Sequence, residues 1–417
     1  MGKELYFENL NILKGPDLEV EKNSVLIING EIKAFGENAK KQAIEKNISI
    51  TQSGEKLLAP LLVDLHSRLE DPLNGFEDNL VKLKHRAKKS GYGVVAILPD
   101  SEKFRDNPEK IPIQNNQIND INILFWGSFT EKDDGLSLSP LEELFKLGTI
   151  GLSSSIFSDL SIIFKGLKLN NIDSYPLLLS INKRDSKDKA FVYEDIKSLQ
   201  YGFHGIDTYS TANNIQKIFE IQDCFPNKKI IIKNISDMKT CNILRRYKKS
   251  IKTSISWWNL IADTSNLKLN DMGWKVDPPI GSAKTRDLLI SCMEEDIIHA
   301  IAVNSYSFND QETFKPINER PAGISSFELV LPLLWKELII KRSWKTSKLW
   351  KHLSFIPSQL IGIEKESLKI GSNRWLIFDP KTKWVNSQIN LGYDSPSNFP
   401  MKDEEIKGKV IQCGLEF

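Results

Sequence analysis

The strongest constraint on the fold is a series of short apolar runs that alternate with helical stretches through the middle of the chain. Each run is rich in Ile, Leu and Val and is continuous, without alternation between apolar and polar side chains. This pattern is typical of parallel strands that are buried on both faces. The runs cover residues 94–98, 121–125, 150–153, 177–181, 230–233, 251–255 and 300–303. Strands and helices that alternate over this length predict an α/β fold of the (β/α)8 barrel type.

Both ends of the chain predict short β-strands. Residues 24–32 place β-branched runs on either side of Asn29-Gly30, a dipeptide typical of two-residue hairpin turns. Near the other end, residues 374–380 and 409–412 read as further strands separated by Pro, Gly and Ser.

The composition narrows the classes of function. The chain has 417 residues, of which 40% are hydrophobic, and can bury a large core. Its 56 Lys and Arg against 54 Asp and Glu give a net charge of +2, so nothing in the totals indicates a nucleic-acid partner. The four cysteines lie far apart, as is typical of reduced thiols. The sequence has no apolar stretch of membrane-spanning length and no signal core, so we predict a cytoplasmic protein with no membrane contact.

One local basic run stands out against this balance. Leu80, Leu83 and Ala87 share its segment at helical spacing, so we interpret the run as the solvated face of an amphipathic helix, with an anion site as the alternative. The run comprises Lys82, Lys84, His85, Arg86, Lys88 and Lys89.

A possible metal site lies directly after the apolar run at 57–63. Residues 64–72 read D-L-H-S-R-L-E-D-P, with Asp64, His66 and Arg68 at alternate positions. Alternate residues of a strand point to the same side, so a His-x-His spacing lets two imidazoles reach one metal ion. Here Arg68 holds the second position, and a guanidinium repels a divalent cation and does not deprotonate. The segment has the spacing of a metal site without the full set of ligands.

This segment resembles the opening metal motif of the dihydroorotases, D-x-H-x-H-L-R-E-P. Residues 275–279, K-V-D-P-P, resemble the family's K-x-N-P-P, and residues 321–328, P-A-G-I-S-S-F-E, resemble its P-x-G-I-x-G-L-E. The tail at 378–380 and 395–410 matches as well. Because these motifs occur in the family's order along nearly the whole chain, the sequence is identified as a member of the cyclic amidohydrolases of the amidohydrolase superfamily.

The resemblance implies an architecture and an activity. It implies a TIM-like (β/α)8 barrel of the amidohydrolase type at residues 57–363, with a small β-domain formed by the terminal segments 1–56 and 364–417. Dihydroorotases of this type act in pyrimidine biosynthesis and bind one or two zinc ions at the carboxyl ends of the barrel strands. A metal-bound hydroxide opens the cyclic amide, and an aspartate transfers the proton.

The positions that match the family's ligands carry other residue types. Zinc requires imidazole, thiolate or carboxylate, so Ser and Asn do not replace the lost ligands. The altered positions are Arg68 and Glu70 in the first motif, Ser154 at the bridging aspartate, Ser180 and Asn234 at two histidines, Trp257 and Trp258 in a P-H-H motif, and Asn304 at the catalytic aspartate. In the substrate-binding motif, Asp277 stands for the asparagine and Gly281 for the arginine.

His66 and Asp64 are what remains of the metal motif. The other four of the five histidines, His85, His204, His299 and His352, lie in no strand-end motif. We interpret His66 as a remnant that is hydrogen-bonded inside the barrel mouth near Asp64, with metal ligation by His66 and Asp64 as the alternative. No cofactor is expected, unless the family site survives in altered form and binds zinc.

The remaining residues of the mouth admit more than one interpretation. Arg68, with Glu70 and Asp71, either forms an internal ion pair that fills the emptied site or acts as a substrate clamp. Arg68, Asp277 and Gly323 are the candidate substrate-binding residues, although turn geometry explains a glycine equally well. Asp64 and Asp277 are the only carboxylates that we place at strand ends. Trp257 and Trp258 either fill vacated space or stack on a ligand.

These observations lead to two main hypotheses. In the first, the chain is a non-catalytic dihydroorotase-like protein that acts as a structural or regulatory partner of aspartate transcarbamoylase in a homo- or hetero-oligomer, as the resemblance implies for members with broken metal sites. In the second, it is an active dihydroorotase, or another cyclic amidohydrolase, with a metal-poor site around His66, Asp64 and Asp277. A weaker third possibility is a small-molecule sensor whose mouth is lined by Trp257, Trp258 and Tyr306. No catalytic residue is assigned; Asn304 holds the family's catalytic position.

Overall fold

The computed structural model describes residues 4–69, 75–100, 105–112, 120–155, 160–169, 174–181, 191–206, 208–247, 251–308, 310–392 and 396–417. Its strands are β1 (Glu4–Ile12), β2 (Glu21–Ile28), β3 (Glu31–Phe35), β4 (Ile50–Thr51), β5 (Leu57–Pro60), β6 (Leu62–Ser67), β7 (Tyr92–Ile97), β8 (Asn122–Phe125), β9 (Gly127–Ser128), β10 (Leu152–Ser155), β11 (Leu177–Ser180), β12 (Val192–Tyr193), β13 (Gly205–Ile206), β14 (Ile230–Lys233), β15 (Lys252–Ser256), β16 (Ala300–Ala302), β17 (Trp375–Val385) and β18 (Glu405–Cys413).

The helices of the described residues surround these strands. The α-helices are α1 (Gly36–Glu45), α2 (Phe76–Lys89), α3 (Leu141–Lys146), α4 (Leu160–Lys168), α5 (Ile196–Gln200), α6 (Tyr209–Cys224), α7 (Met238–Arg246), α8 (Ala283–Glu294), α9 (Asp310–Phe314), α10 (Val330–Leu334), α11 (Thr346–Trp350), α12 (Ile356–Leu360) and α13 (Gln388–Leu391). Short 3-10 helices cover Pro108–Lys110, Glu131–Asp133, Trp257–Leu260, Met272–Trp274 and Gly414–Glu416, and π-helical turns cover Trp335–Lys341 and Lys351–Phe355.

One sheet joins the two ends of the chain. Its order is β18-β17-β5-β1-β2-β3, with β4 beside β1. The predicted hairpin is present: β2 and β3 are antiparallel and are joined by Asn29 and Gly30, whose φ angles of 53° and 78° suit a two-residue turn. Strand β5 pairs parallel to β1 and antiparallel to β17, and the chain then enters the barrel. The small β-domain made of both terminal segments is confirmed, while the ranges 1–56, 57–363 and 364–417 stay a prediction.

Parallel strands form the barrel, as the apolar runs predict. Strands β6, β7 and β8 form one part of the parallel sheet, and β9, β10, β11, β14, β15 and β16 form the other. Strands β8 and β9 are consecutive parts of one strand interrupted at Trp126. The Trp126 amide donates to Ile97 O at 2.9 Å on one side, and Gly127 donates to Gly151 O at 3.0 Å on the other. The α/β barrel prediction is confirmed.

The first and last barrel strands, β6 and β16, meet at a seam near the carboxyl ends. The amide of Asn304 donates to His66 O at 3.0 Å, and the amide of Arg68 donates to Ser305 O at 2.7 Å. These bonds place the metal-motif segment beside the segment that matches the family's catalytic stretch.

An apolar interior and a helical cover close the amino-terminal end of the barrel. The helix that runs through α11, a π-helical turn and α12 lies under β6. Ser354 Oγ donates to Leu61 O at 2.7 Å, and Trp350 Nε1 donates to Pro60 O at 2.9 Å. The buried interior cluster comprises Val63, Leu65, Val94, Ala96, Leu98, Leu124, Trp126, Leu178, Ile231, Ala300, Ala302 and Ile361.

One residue of the basic run at 82–89 is not solvated as predicted. Helix α2 buries Leu83 and Ala87, as the spacing predicts, but it also buries Arg86. Arg86 Nε and Nη2 donate to the two carboxylate oxygens of Glu328 at 2.9 and 3.0 Å. The prediction fails for Arg86 because a buried carboxylate from a distant segment lies opposite it. Lys88 pairs with Asp120 at 2.6 Å at the surface.

Candidate functional site

A polar cavity opens at the carboxyl ends of the barrel strands. It is an open cleft with about 430 Å³ of empty space, a volume that includes solvent at its mouth. Residues two positions apart on a strand point to the same side. Ser180 therefore points inward like Leu178, and Lys233 points inward like Ile231, but each lies one step closer to the mouth of the barrel. The alternation that fills the barrel interior with apolar side chains thus places polar side chains at its mouth. The lining residues are Arg68, Pro99, Asp100, Asp133, Ser153, Ser154, Ser155, Ser180, Lys233 and Asp277.

Arg68 forms a double ion pair at the centre of this cavity wall. Its side chain is 4% exposed; Nε donates to Asp100 Oδ2 at 2.7 Å and Nη2 donates to Asp277 Oδ2 at 2.9 Å. Burial by itself would lower the pKa of Arg68, but the two carboxylates reverse this effect and raise it above its usual value. The guanidinium also lies 5.5 Å from the ring centroid of Tyr306. Arg68 is therefore a permanent, fully engaged cation where the family motif has a metal-binding histidine.

The ion pair agrees with the predicted filling of the site, but the described partners differ from the expected ones. Glu70 and Asp71 lie outside the described residues. Asp100 follows β7, and Asp277 lies in the loop between β15 and α8. Arg68 thus joins segments that follow the first, second and seventh strands of the barrel.

Asp133 contributes a carboxyl group that was not predicted from the sequence. It ends the 3-10 helix that follows β9, and its Oδ1 accepts hydrogen bonds from Ser155 N at 3.0 Å and Ser154 Oγ at 3.3 Å. Burial raises the pKa of Asp133, and Asp100 raises it further, while Lys233 opposes this shift. The position matched to the family's bridging aspartate therefore carries a serine that donates to a carboxylate from another loop.

Asp64 holds the barrel seam. Its Oδ1 accepts from the amide of Val303 at 2.8 Å, and its Oδ2 accepts from the Ser67 hydroxyl at 2.5 Å. Burial raises the pKa of Asp64 to about 6, although these hydrogen bonds lower it. Asp64 bridges β6 and the segment after β16 and does not line the described cavity.

His66 and the residues near it form a hydrogen-bonded network. His66 Nε2 lies 3.0 Å from Ser254 Oγ. Asn234 Nδ2 donates to Asn304 Oδ1 at 3.2 Å, and Asn304 Nδ2 donates to Asp277 O at 2.6 Å. Burial lowers the pKa of His66 well below its usual value, and Lys233 and Arg68 lower it further, so the ring is neutral at pH 7. Both ends of the Asn304 amide are engaged, and an amide cannot accept the proton that an aspartate would take.

These side chains do not fit a zinc ion. Within the described ranges, no three His, Cys, Asp or Glu side chains come together in a way that could hold a metal. The strand ends supply hydroxyls, an amide, an ammonium and a guanidinium, none of which is a good zinc ligand. Of the three carboxylates that line the cavity, Asp100 and Asp277 are bound to Arg68, and Asp133 accepts hydrogen bonds from Ser154 and Ser155.

Packing inside the protein explains the positions of Gly323, Trp257 and Trp258. A side chain at Gly323 would come within 2.8 Å of the Tyr306 ring, so close packing accounts for the glycine. Trp257 and Trp258 are buried and form an edge-to-face pair at 5.1 Å, and Trp258 Nε1 donates to Gly273 O at 3.0 Å. None of these residues lines the cavity as the described residues define it. Binding of substrate by Arg68, Asp277 and Gly323 stays a prediction.

Three charged residues of the cavity were not predicted from the sequence: Asp100, Asp133 and Lys233. Asp64 and Asp277 are thus not the only carboxylates at the strand ends. Lys233 could have been predicted from the sequence. It ends the all-isoleucine run of β14, and a charged side chain at that position must face the mouth of the barrel. Asp100 and Asp133 lie in loops beyond their strands, where strand periodicity gives no direction.

The remaining histidines lie away from the cavity. His85 and His204 are exposed. His299 and His352 lie at the amino-terminal end of the barrel, where His352 Nδ1 lies 2.7 Å from His299 O. Burial lowers the pKa of each of these two imidazoles to about 4.

The chain is similar in sequence to proteins named dihydroorotase or dihydroorotase-like. A probable dihydroorotase-like protein of Synechocystis is 26% identical over 393 residues, covering 85% of this chain and 87% of that protein. A dihydroorotase of Bacillus cereus is 22% identical over 364 residues, covering 85% and 83%. No protein-family model matches the chain.

Solved structures support the same fold. A dihydropyrimidinase from Brevibacillus agri superposes with a TM-score of 0.73 at 16% identity, covering 98% of this chain and 93% of that one. An L-hydantoinase from Arthrobacter aurescens gives a TM-score of 0.71 at 13% identity, covering 99% and 94%. Among the described residues, no helix combines the length and the apolar character needed to cross a membrane.

Replacing Arg68 by Met is expected to lower the free energy of unfolding by about 3–5 kcal/mol, because Asp100 and Asp277 lose the cation that they share in a buried site. The matched variant Arg245→Met breaks a more exposed pair with Glu295 and is expected to cost less than about 1 kcal/mol. Urea denaturation of both variants tests this. Equal stability of the two variants would contradict the ion-pair interpretation and favour a substrate clamp.

Asp64 should make stability fall as pH rises from about 4 to 6. Its folded-state pKa of about 6 lies above the unfolded value of about 3.9, so the folded protein binds the proton more tightly. The unfolded chain ionises first, and the loss reaches about 3 kcal/mol near pH 6 and then stays constant. In Asp64→Asn this contribution is absent, so the stability difference between wild type and variant should change across this window and nowhere above it. A difference that is flat with pH would rule the assignment out.

Proposed function

Since the chain belongs to the cyclic amidohydrolases, we propose that it is a dihydroorotase-like protein that has exchanged the family's metal centre for an internal ion pair and does not catalyse ring opening. The observation that carries the proposal is the position of Arg68 between Asp100 and Asp277, at 2.7 and 2.9 Å. A metal ion in this place would meet a buried guanidinium whose charge cannot be removed.

The chemistry of amide hydrolysis supports this proposal. Opening a cyclic amide needs an activated water, a group that polarises the carbonyl and a group that moves a proton. Metal-dependent relatives obtain the first two from a metal ion. Here Asn304 cannot move a proton, and the neutral His66 ring is bonded to Ser254. The described side chains offer no group that could activate water in their place, apart from the carboxyl of Asp133.

The proposed role is that of a structural or regulatory subunit in pyrimidine biosynthesis. Aspartate transcarbamoylase is the partner that we propose, because the resemblance to the dihydroorotases implies this association for members without a metal site. The retention of the barrel fold around an altered site supports a role that depends on shape rather than on chemistry. We propose that the protein acts in the cytoplasm as part of such an oligomer.

A second candidate function is hydrolysis of a cyclic amide without zinc. One observation favours it: Asp133 lines the cavity with a carboxyl group whose pKa is raised by burial. A carboxyl group with a raised pKa holds its proton more tightly, which suits a general acid. No second described residue is assigned to act together with Asp133, so we rank this candidate second.

The protein purified from cells grown with zinc is expected to contain far less than one zinc ion per chain and to give no detectable interconversion of dihydroorotate and carbamoyl aspartate, with or without added zinc. Elemental analysis and a spectrophotometric assay of both directions measure this, with a zinc-dependent dihydroorotase as the positive control. Activity with stoichiometric zinc would refute the non-catalytic proposal. Activity that is independent of zinc and lost in Asp133→Asn would establish the second candidate.

Mixing the protein with aspartate transcarbamoylase from the same organism is expected to produce a larger species in analytical ultracentrifugation, because each protein would occupy part of the other's surface. An unrelated (β/α)8 barrel protein of similar size serves as the control. If the two proteins sediment separately at all concentrations and the transcarbamoylase kinetics are unchanged, the proposed interaction with aspartate transcarbamoylase is refuted. The non-catalytic half would be unaffected.

A further inference from the structure

Lys275 and Arg320 are two half-buried cations in neighbouring loops, and the Lys275 ammonium contacts the main chain two residues before Arg320. Lys275 follows the 3-10 helix Met272–Trp274 in the connection between β15 and α8, and Arg320 lies between α9 and α10, after β16. These connections follow the seventh and eighth strands of the barrel. Neither residue lines the cavity described above, although Lys275 precedes Asp277 by two positions.

The two cations have no acidic partner among the described residues. Lys275 Nζ donates to the main-chain carbonyl of Asn318 at 2.9 Å, and Arg320 Nε donates to the carbonyl of Lys315 at 2.6 Å. Arg320 Nη1 lies 3.4 Å from Met272 Sδ, which is a weak acceptor. By contrast, the neighbouring ammonium of Lys315 is paired with Glu312 at 2.8 Å.

The electrostatics of the pair agree with this geometry. Burial lowers the pKa of Lys275, and the charge of Arg320 lowers it further. Burial also lowers the pKa of Arg320, and no carboxylate opposes the shift. Two partly desolvated like charges that lie close together disfavour the charged state of the site. A bound anion would remove the repulsion and recover the lost solvation.

We infer that Lys275 and Arg320 form a binding site for a phosphate dianion, which goes beyond the function proposed above. A dianion matches two positive charges, and a guanidinium with a neighbouring ammonium offers donors to several phosphate oxygens. The location supports the same class, because loops after the seventh and eighth strands frequently bind phosphate in (β/α)8 barrels. The main-chain carbonyls of Asn318 and Lys315 hold the two side chains in place before the anion binds.

Thermal unfolding with added phosphate tests the site. Inorganic phosphate, compared with sodium chloride at equal ionic strength, is expected to raise the Tm of the wild type by a few degrees, since a ligand that binds only the folded state stabilises it by RT ln(1 + [L]/Kd). Lys275→Gln/Arg320→Gln should lose this response. The matched double variant Lys351→Gln/Arg245→Gln removes the same two charges from pairs with Asp296 and Glu295 and should keep it. A response that is absent in the wild type, or equal in both double variants, would overturn the inference.

A second probe identifies the source of the phosphate group. Ribose 5-phosphate that protects at lower concentrations than inorganic phosphate would assign the site to phosphorylated small molecules. Equal protection by both would assign it to free phosphate.

Nuclear magnetic resonance of the Lys275 side chain gives a readout that does not depend on unfolding. Phosphate should raise the pKa of the Lys275 amine, and Arg320→Gln should raise it without phosphate, because either change reduces the repulsion between the two cations. An amine pKa that responds to neither change would count against the site. This result is independent of the zinc and transcarbamoylase experiments.

Discussion

The seam between the first and last barrel strands brings the polar groups of this molecule to one place. Asp64 accepts from Val303 N and Ser67, and two main-chain bonds join His66 to Asn304 and Ser305 to Arg68. Because these contacts hold β6 against β16, the side chains that follow both strands face the same mouth. A buried carboxylate that bonds across the seam is costly when ionised, and this cost is the reason for the raised pKa of Asp64.

The altered site next to this seam is a set of contacts that depend on one another. Arg68 continues β6 and needs two carboxylates in order to be buried, and Asp100 and Asp277 supply them. Asp277 in turn gives its main-chain carbonyl to Asn304, whose amide oxygen accepts from Asn234. Restoring a histidine at position 68 would leave Asp100 and Asp277 without the cation that they share. The site is therefore a connected polar network, in which changes at several strand ends depend on one another.

Much of the fold could be predicted from local sequence. The apolar run at 230–233 coincides with β14, and Asn29-Gly30 forms the expected turn, because strand period and turn chemistry are local properties. The residue types at the strand ends also predict the loss of metal ligands, because Ser, Asn, Arg and Trp are not zinc ligands. The partners of Arg68 and Arg86 could not be predicted from the sequence, because Asp277 and Glu328 lie more than two hundred positions away along the chain. Pairing over such distances is set by tertiary packing.

The position of β5 has a consequence for how the protein is made. Its two neighbours come from opposite ends of the chain, β1 on one side and β17 on the other. During synthesis β5 can pair with β1 at once, but its other edge stays open until nearly the whole barrel has left the ribosome. An apolar strand with a free edge is a template for wrong pairing between nascent chains. Yield in cells should therefore depend on chaperones that shield this edge during translation.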